Sequence, residues 1–173
     1  MTSLKKSFLS NLFNIFPVII LFFLVFTGFK FSFFLNKINF SFNFVFIVIF
    51  YWILKKPNML GYGIIFFSGI VNDVVQNFPI GISSINYLLL CAIAAFIRAR
   101  TLMPNLLYDW IFYLIAILII SSINFTTLTL FFEYPIKYGI LMFGSFLTFL
   151  IYPGLSKLFD TITLIDLREE NAK

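Results

Sequence analysis

Long apolar stretches, separated by short segments that carry charge, dominate the pattern of this chain. The uncharged runs each hold at least 16 residues and cover residues 7–29, 38–54, 57–72, 74–97, 110–132 and 138–156. A helix rises about 1.5 Å per residue, so roughly 17–25 apolar residues cross the ~30 Å hydrocarbon layer of a bilayer. Backbone polar groups cannot stay unpaired in lipid, which favours helices. The pattern predicts an all-α integral membrane protein, a bundle of about six transmembrane helices.

The predicted spans form a single membrane domain over residues 1–173. They lie at residues 9–29, 39–54, 58–75, 80–97, 107–131 and 137–156, with a hydrophilic tail over residues 157–173. The second span has Phe at every second position from Phe40 to Phe46, which is a strand pattern. A closed barrel would need that alternation along the whole chain, so we predict a helix here too. Pro153 and Gly154 predict a break in the last span.

Composition and the missing residue types narrow the function. Apolar residues make up 61% of the chain and charged residues 11%, against roughly 45–50% and 25% in soluble domains. A soluble fold of this size could not bury so much apolar surface. The chain has no His, and Cys91 is the only cysteine. The commonest general base and any multi-cysteine metal site are therefore excluded, and we expect no catalysis, metal or cofactor.

Basic residues are distributed unevenly between the two sides that six spans would create. One side would receive Lys5, Lys6, Lys55, Lys56, Arg98, Arg100, Lys157, Arg168 and Lys173. The other side would receive Lys30, Lys37 and Lys137. Because cytoplasmic connections carry the excess of Lys and Arg, both termini are predicted to be cytoplasmic. The scatter of basic residues between apolar runs explains the net charge of +5 without a nucleic-acid partner.

The most informative polar residues lie between the third and fourth spans. Gly69, Asp73 and Asn77 recur every four residues, so they share one face of a helix. An Asp at a helix centre costs about 2.5–3.5 kcal/mol on insertion scales, and less near an interface. Asp73 either couples to a partner helix or an ion, or it caps a helix where the third span turns into the fourth. Pro79 and Gly81 predict that turn.

Residues 51–81 hold a series of recognisable elements: Tyr51-Trp52-Ile53-Leu54, Pro57, Gly61-Tyr62-Gly63, Gly69 with Asp73, and Ile80-Gly81. This series resembles a known family, the bacterial rod-shape-determining MreD proteins. That family has a Trp in the second span, a Gly-x-x-x-Asp element in the third, and a Leu-Gly or similar pair eight residues beyond the Asp. This chain departs from many relatives at the turn, where it has Phe78-Pro79-Ile80. Chain length and six-span hydropathy fit the family over the whole sequence.

The resemblance implies a non-enzymatic scaffold of the cell-elongation machinery in the bacterial inner (cytoplasmic) membrane. Such proteins work with the periplasmic protein MreC, with the actin-like MreB and RodZ, and with the RodA glycosyltransferase and its transpeptidase. They help to position lateral peptidoglycan synthesis. The family also resembles, in fold, the membrane substrate-binding subunits of energy-coupling-factor transporters.

Two functions are therefore compared, a scaffold and a subunit of an importer. A third, an enzyme acting on lipid, would need an activated acid, base or metal site that this sequence does not offer. A scaffold would dock the membrane helix of MreC on small-residue faces. The residues expected to bind the partner or to couple the spans are Gly69, Asp73, Asn72, Asn77, Pro79 and Gly81. The rival, a small-molecule-binding subunit of an importer, predicts a polar cavity near Asn77, Asn86 or Glu133.

Overall fold

The computed structural model of the chain describes residues 2–27, 43–100, 105–132 and 138–171. These residues form six α-helices: α1 (Thr2–Thr27), α2 (Phe44–Lys55), α3 (Tyr62–Gln76), α4 (Ile82–Arg100), α5 (Leu106–Phe132) and α6 (Tyr138–Asn171), with a 3-10 turn at Pro57–Met59. No strand occurs in the described ranges, so the all-α prediction is confirmed for them. Phe44 and Phe46 lie in α2, whereas the earlier part of the alternating pattern lies outside the described residues.

Three helices are long and apolar enough to cross a membrane, which supports the prediction of a membrane protein. They are α4, α5 and the Leu141–Thr163 part of α6. The shorter apolar helical segments are Ile15–Thr27, Phe44–Lys55 and Tyr62–Gln76. The 12 residues of α2 extend only about 18 Å at the rise of an α-helix. Six crossings and their orientation stay predictions, and Lys30, Lys37, Lys137 and Lys173 lie outside the described residues.

Helix α2 forms the centre of the bundle. Every residue from Val45 to Leu54 is buried, and all ten are apolar or aromatic. The helix packs against α1, α4 and α6. A helix that is apolar on every side needs to be enclosed, and here neighbouring helices replace lipid around most of its surface. The continuous apolar run in the sequence thus becomes the core of the fold.

Helices α2 and α6 run parallel to each other. At the start of α2, Asn43 N–H donates to Thr148 Oγ1 at 3.2 Å, and at its end Lys55 Nζ lies 2.9 Å from Asp160 Oδ1. Helix α5 runs antiparallel to α6, as shown by the contacts Trp110–Phe149, Ser121–Ser145 and Phe125–Tyr138. These directions are the ones that helices alternating across a bilayer would have.

Helix α6 continues across Pro153 to Asn171, so the predicted break at Pro153 is wrong. Proline lacks the N–H that would bond to the carbonyl four residues earlier, which is Phe149 O. Trp110 Nε1 donates to that oxygen at 2.9 Å, and the indole stacks on the Phe149 ring at a centroid distance of 4.8 Å. The indole from α5 replaces the missing backbone bond. The predicted tail is helical as far as Asn171.

Candidate functional site

Asp73 lies near the end of α3, is 0% exposed, and accepts hydrogen bonds from two backbone N–H groups. Gly81 N–H donates to Oδ2 at 2.7 Å, and Ser83 N–H donates to Oδ1 at 3.0 Å and to Oδ2 at 3.2 Å. Gly81 immediately precedes α4, and Ser83 lies in its first turn. A helix N-terminus has unpaired donors and the positive end of the helix dipole, and both stabilise a carboxylate. Asp73 therefore caps α4 from the preceding helix.

The turn between α3 and α4 depends on two residues with positive φ. Asn77 ends α3 in the left-handed conformation with φ 56°, and Gly81 has φ 103°. Asn tolerates the left-handed region better than most residues, and Gly enters it without steric cost. Phe78 N–H donates to the Asp73 backbone oxygen at 2.9 Å, which closes the end of α3. With Pro79 between them, Asn77 and Gly81 turn the chain so that Gly81 N–H reaches the carboxylate.

Gly69 lies where the backbones of α3 and α4 approach each other closely. A Cβ at this position would lie 2.6 Å from Ser84 N and 2.7 Å from Ser84 Oγ, and it would overlap Ser84 Cα. Ser84 Oγ donates to Phe66 O at 2.9 Å, and Asn72 Nδ2 donates to Ser83 Oγ at 2.8 Å. Only a residue without a side chain lets the two backbones approach this closely.

The structure brings all six predicted site residues into one α3–α4 hairpin. The described contacts of the Asp73 carboxylate and of the Asn72 side chain are to α4 of the same chain. These contacts agree with the interpretation in which Asp73 caps a helix at the turn. A direct role of Asp73 in binding a partner helix stays a prediction.

The polar residues named for the importer alternative are placed differently. Asn86 is buried, and its Nδ2 donates to Asn124 Oδ1 at 3.0 Å, which joins α4 to α5. Asn77 is exposed at the turn, and Glu133 lies outside the described residues. Further along the bundle, Ser121 Oγ and Ser145 Oγ are 2.7 Å apart and join α5 to α6. The Asn86 side chain is thus engaged in an interhelical hydrogen bond.

A second polar region, which the sequence analysis did not single out, lies at the C-terminal end of α2. Asp160 of α6 accepts hydrogen bonds from Lys55 Nζ at 2.9 and 3.0 Å and from Tyr51 Oη at 2.7 Å. The ammonium group also lies 5.3 Å from the centroid of the Tyr51 ring. The Lys55 and Asp160 side chains are 22% and 35% exposed, so the ion pair reaches the surface. It ties the end of α2 to α6.

Next to this ion pair, α5 contributes a buried carboxylate. Asp109 lies in the first turn of α5, is 3% exposed, and is within electrostatic range of Lys55 and Asp160. Its Oδ2 has no hydrogen-bond partner among the described residues. Asp109 therefore differs from Asp73, whose two oxygen atoms are both bonded.

Three buried hydroxyl groups close to Asp109 also lack a hydrogen-bond partner within the described ranges. They belong to Tyr113, one turn along α5, and to Tyr152 and Ser156, one turn apart on α6. The Tyr113 and Tyr152 rings stack with centroids 4.5 Å apart, which brings the two helices together at this point. The sequence could have indicated this group, because Asp109 and Tyr113 are four residues apart, as are Tyr152, Ser156 and Asp160. Residues at that spacing share one face of a helix.

Comparison of the chain with protein-family models, with curated proteins and with solved structures finds no match. The likeness to MreD proteins stays a prediction from the residues of the 51–81 segment.

Proposed function

We propose that this chain is a non-enzymatic scaffold of the bacterial inner membrane that docks MreC and helps to position lateral peptidoglycan synthesis. The observation that carries the proposal is the α3–α4 hairpin. Gly69, Asp73 and Gly81, which the likeness to MreD proteins singles out, are joined there by backbone contact and by hydrogen bonds. MreB, RodZ and the RodA glycosyltransferase with its transpeptidase are the further partners that this function implies.

The contacts of the hairpin suit a scaffold because they make it rigid. A hydrogen bond to a charged group contributes about 1.5–3 kcal/mol, and the Asp73 carboxylate receives such bonds from Gly81 and Ser83. The close approach at Gly69 fixes the separation of the two helices. A surface that is ordered before binding loses less entropy when a partner docks.

The hairpin leaves the other face of α3 available to a partner helix. The face of α3 that bears Gly69 and Asp73 is covered by α4, so a docking helix would contact the opposite face. Ile64, Phe67 and Val75 are exposed there. Association of helices in lipid depends on close packing, and these side chains offer an apolar surface for it.

The proposal is tested by co-purification of MreC with the full chain in mild detergent. We expect MreC to co-purify with the unaltered chain, and Phe67→Ala on the exposed face of α3 to reduce its yield. Ile85→Ala is the matched control, since it removes an exposed apolar side chain from α4 instead. Failure of MreC to co-purify with the unaltered chain would contradict the scaffold, and tight binding of a vitamin by the purified protein would favour the importer alternative.

A further inference from the structure

A group of buried polar atoms between α5 and α6 has no part in the proposed scaffold. Asp109 Oδ2, Tyr113 Oη, Tyr152 Oη and Ser156 Oγ are all buried without a partner among the described residues. Tyr152 interacts electrostatically with Asp109 and lies close to Ser156, although their oxygen atoms are not in hydrogen-bond geometry. Stacking of Tyr113 on Tyr152 completes the group.

Leaving these atoms unpartnered would be costly. A buried donor or acceptor without a hydrogen bond costs about 1–3 kcal/mol, and more for a charged group. Native proteins therefore satisfy the large majority of such groups with protein or with ordered water. Four unpartnered atoms in one place indicate that a small hydrogen-bonding molecule completes the group.

The chemistry of the four atoms favours water over a cation. The three hydroxyl groups can each donate a hydrogen bond, whereas the oxygen of Asp109 accepts one when it is ionised. A cation would use the oxygen lone pairs but would leave the hydroxyl protons without an acceptor. Water both donates and accepts, and internal waters make about three hydrogen bonds to polar groups that are otherwise unsatisfied.

The group has polar, partly exposed neighbours at one end. The Lys55–Asp160 pair lies within electrostatic range of Asp109, and both of its side chains are partly exposed. Tyr113 and Tyr152, in contrast, are 0% exposed. The polarity of the region therefore extends from the surface into the bundle.

We propose that Asp109, Tyr113, Tyr152 and Ser156 form an internal hydration site, in which bound water bridges the carboxylate to the three hydroxyls and exchanges with solvent past the Lys55–Asp160 pair. Helices α5 and α6 are then joined through water at this end and by the direct Ser121–Ser145 contact further along. The site is independent of the proposed scaffold function and would exist in an importer subunit as well.

Brief radiolysis of the full chain in lipid nanodiscs with heavy-oxygen water tests the site. Hydroxyl radicals formed from bound water label the side chains beside it, and mass spectrometry locates the label. Tyr87 is the control, because it is only 2% exposed and packs against Phe46 at the opposite end of α2 from the proposed site. We expect several-fold more label on Tyr113 and Tyr152 than on Tyr87, whereas equal labelling of all three would show a dry interior and overturn the proposal.

Two further measurements identify the occupant. Ser156→Ala removes one of the bridged hydroxyls and is expected to lower the labelling of Tyr152. Ser121→Ala removes a hydroxyl that bonds directly to Ser145 and is expected to leave the labelling unchanged. Exchange of sodium for choline at constant ionic strength is expected to leave the unfolding temperature unchanged. Stabilisation by sodium would indicate a bound cation and would overturn the hydration site.

Discussion

Asp73 and Asp109 are both buried carboxylates, but they are satisfied in different ways. The oxygens of Asp73 accept hydrogen bonds from backbone N–H groups that lie eight and ten residues further along the chain. Asp109 Oδ2 has no partner in the described part of the chain, and the nearest charged groups come from α2 and α6. Backbone donors fixed by a short turn make Asp73 a structural cap. The surroundings of Asp109 exist only after three helices have assembled.

The largest loss of stability is expected at Gly69, in the hairpin that Asp73 caps. Gly69→Leu should destabilise the protein by about 4 kcal/mol or more, since overpacking usually costs 1–3 kcal/mol and here the obstacle is the Ser84 backbone. The midpoint of unfolding in detergent measures the loss.

Gly63→Ala, on the same helix, is the control for Gly69. A Cβ at Gly63 would have no atom within 4 Å, so this change should be neutral or stabilising by up to about 1 kcal/mol through helix propensity. Equal effects of Gly69→Leu and Gly63→Ala would show that α3 and α4 are not in close contact.

A matched pair of Asp→Asn changes separates the two carboxylates directly. Asp73→Asn should cost about 2 kcal/mol, because an amide offers one acceptor oxygen where the carboxylate uses two and weakens the bonds from Gly81 and Ser83. Asp109→Asn should change stability by less than about 0.5 kcal/mol, or increase it, since it removes a buried charge without breaking a described hydrogen bond at Oδ2.

Unfolding midpoints of the two Asn variants, measured under identical conditions, show which carboxylate contributes more to stability. A larger loss for Asp109→Asn than for Asp73→Asn would reverse the comparison. It would show that the carboxylate of α5, and not that of α3, carries the structural role.

A smaller effect is expected next to Asp109, at the indole that bonds to α6. Trp110→Phe keeps an aromatic ring but removes the donor to Phe149 O, and should cost about 1–2 kcal/mol. In a Pro153→Ala background the backbone N–H of residue 153 can bond to Phe149 O, so the same change should cost less. The coupling energy from this double-mutant cycle measures the repair. Additive effects would mean that the indole does not compensate for the proline.

The smallest effect is expected at the partly exposed ion pair. Lys55→Met should cost less than about 1 kcal/mol, because ion pairs open to solvent contribute little. The loss should shrink in 1 M salt, where the screening length falls to about 3 Å. Lys56→Met is the control on the neighbouring residue. A large, salt-independent loss for Lys55→Met would show that the pair is closed to solvent and would remove the proposed route for water.

Short-range patterns predicted part of this structure. The apolar runs predicted the helices, and the spacing of Gly69, Asp73 and Asn77 with Pro79 and Gly81 predicted a capped turn as one alternative. These features depend on residues close together in the chain. The predicted break at Pro153 failed because the compensating donor, Trp110, lies on another helix.

The sequence by itself determined that the chain is helical, that it holds stretches apolar enough to cross a membrane, and where α3 turns into α4. Hydropathy and the conformational preferences of Asn, Pro and Gly are local properties, so a single segment reveals them. The tertiary structure alone decided that α2 is enclosed, that Lys55 pairs with Asp160, and that Asp109 and three hydroxyls are buried without hydrogen-bond partners among the described residues. These outcomes depend on which helices become neighbours, because a buried polar group acquires its partners only when helices distant in sequence pack together.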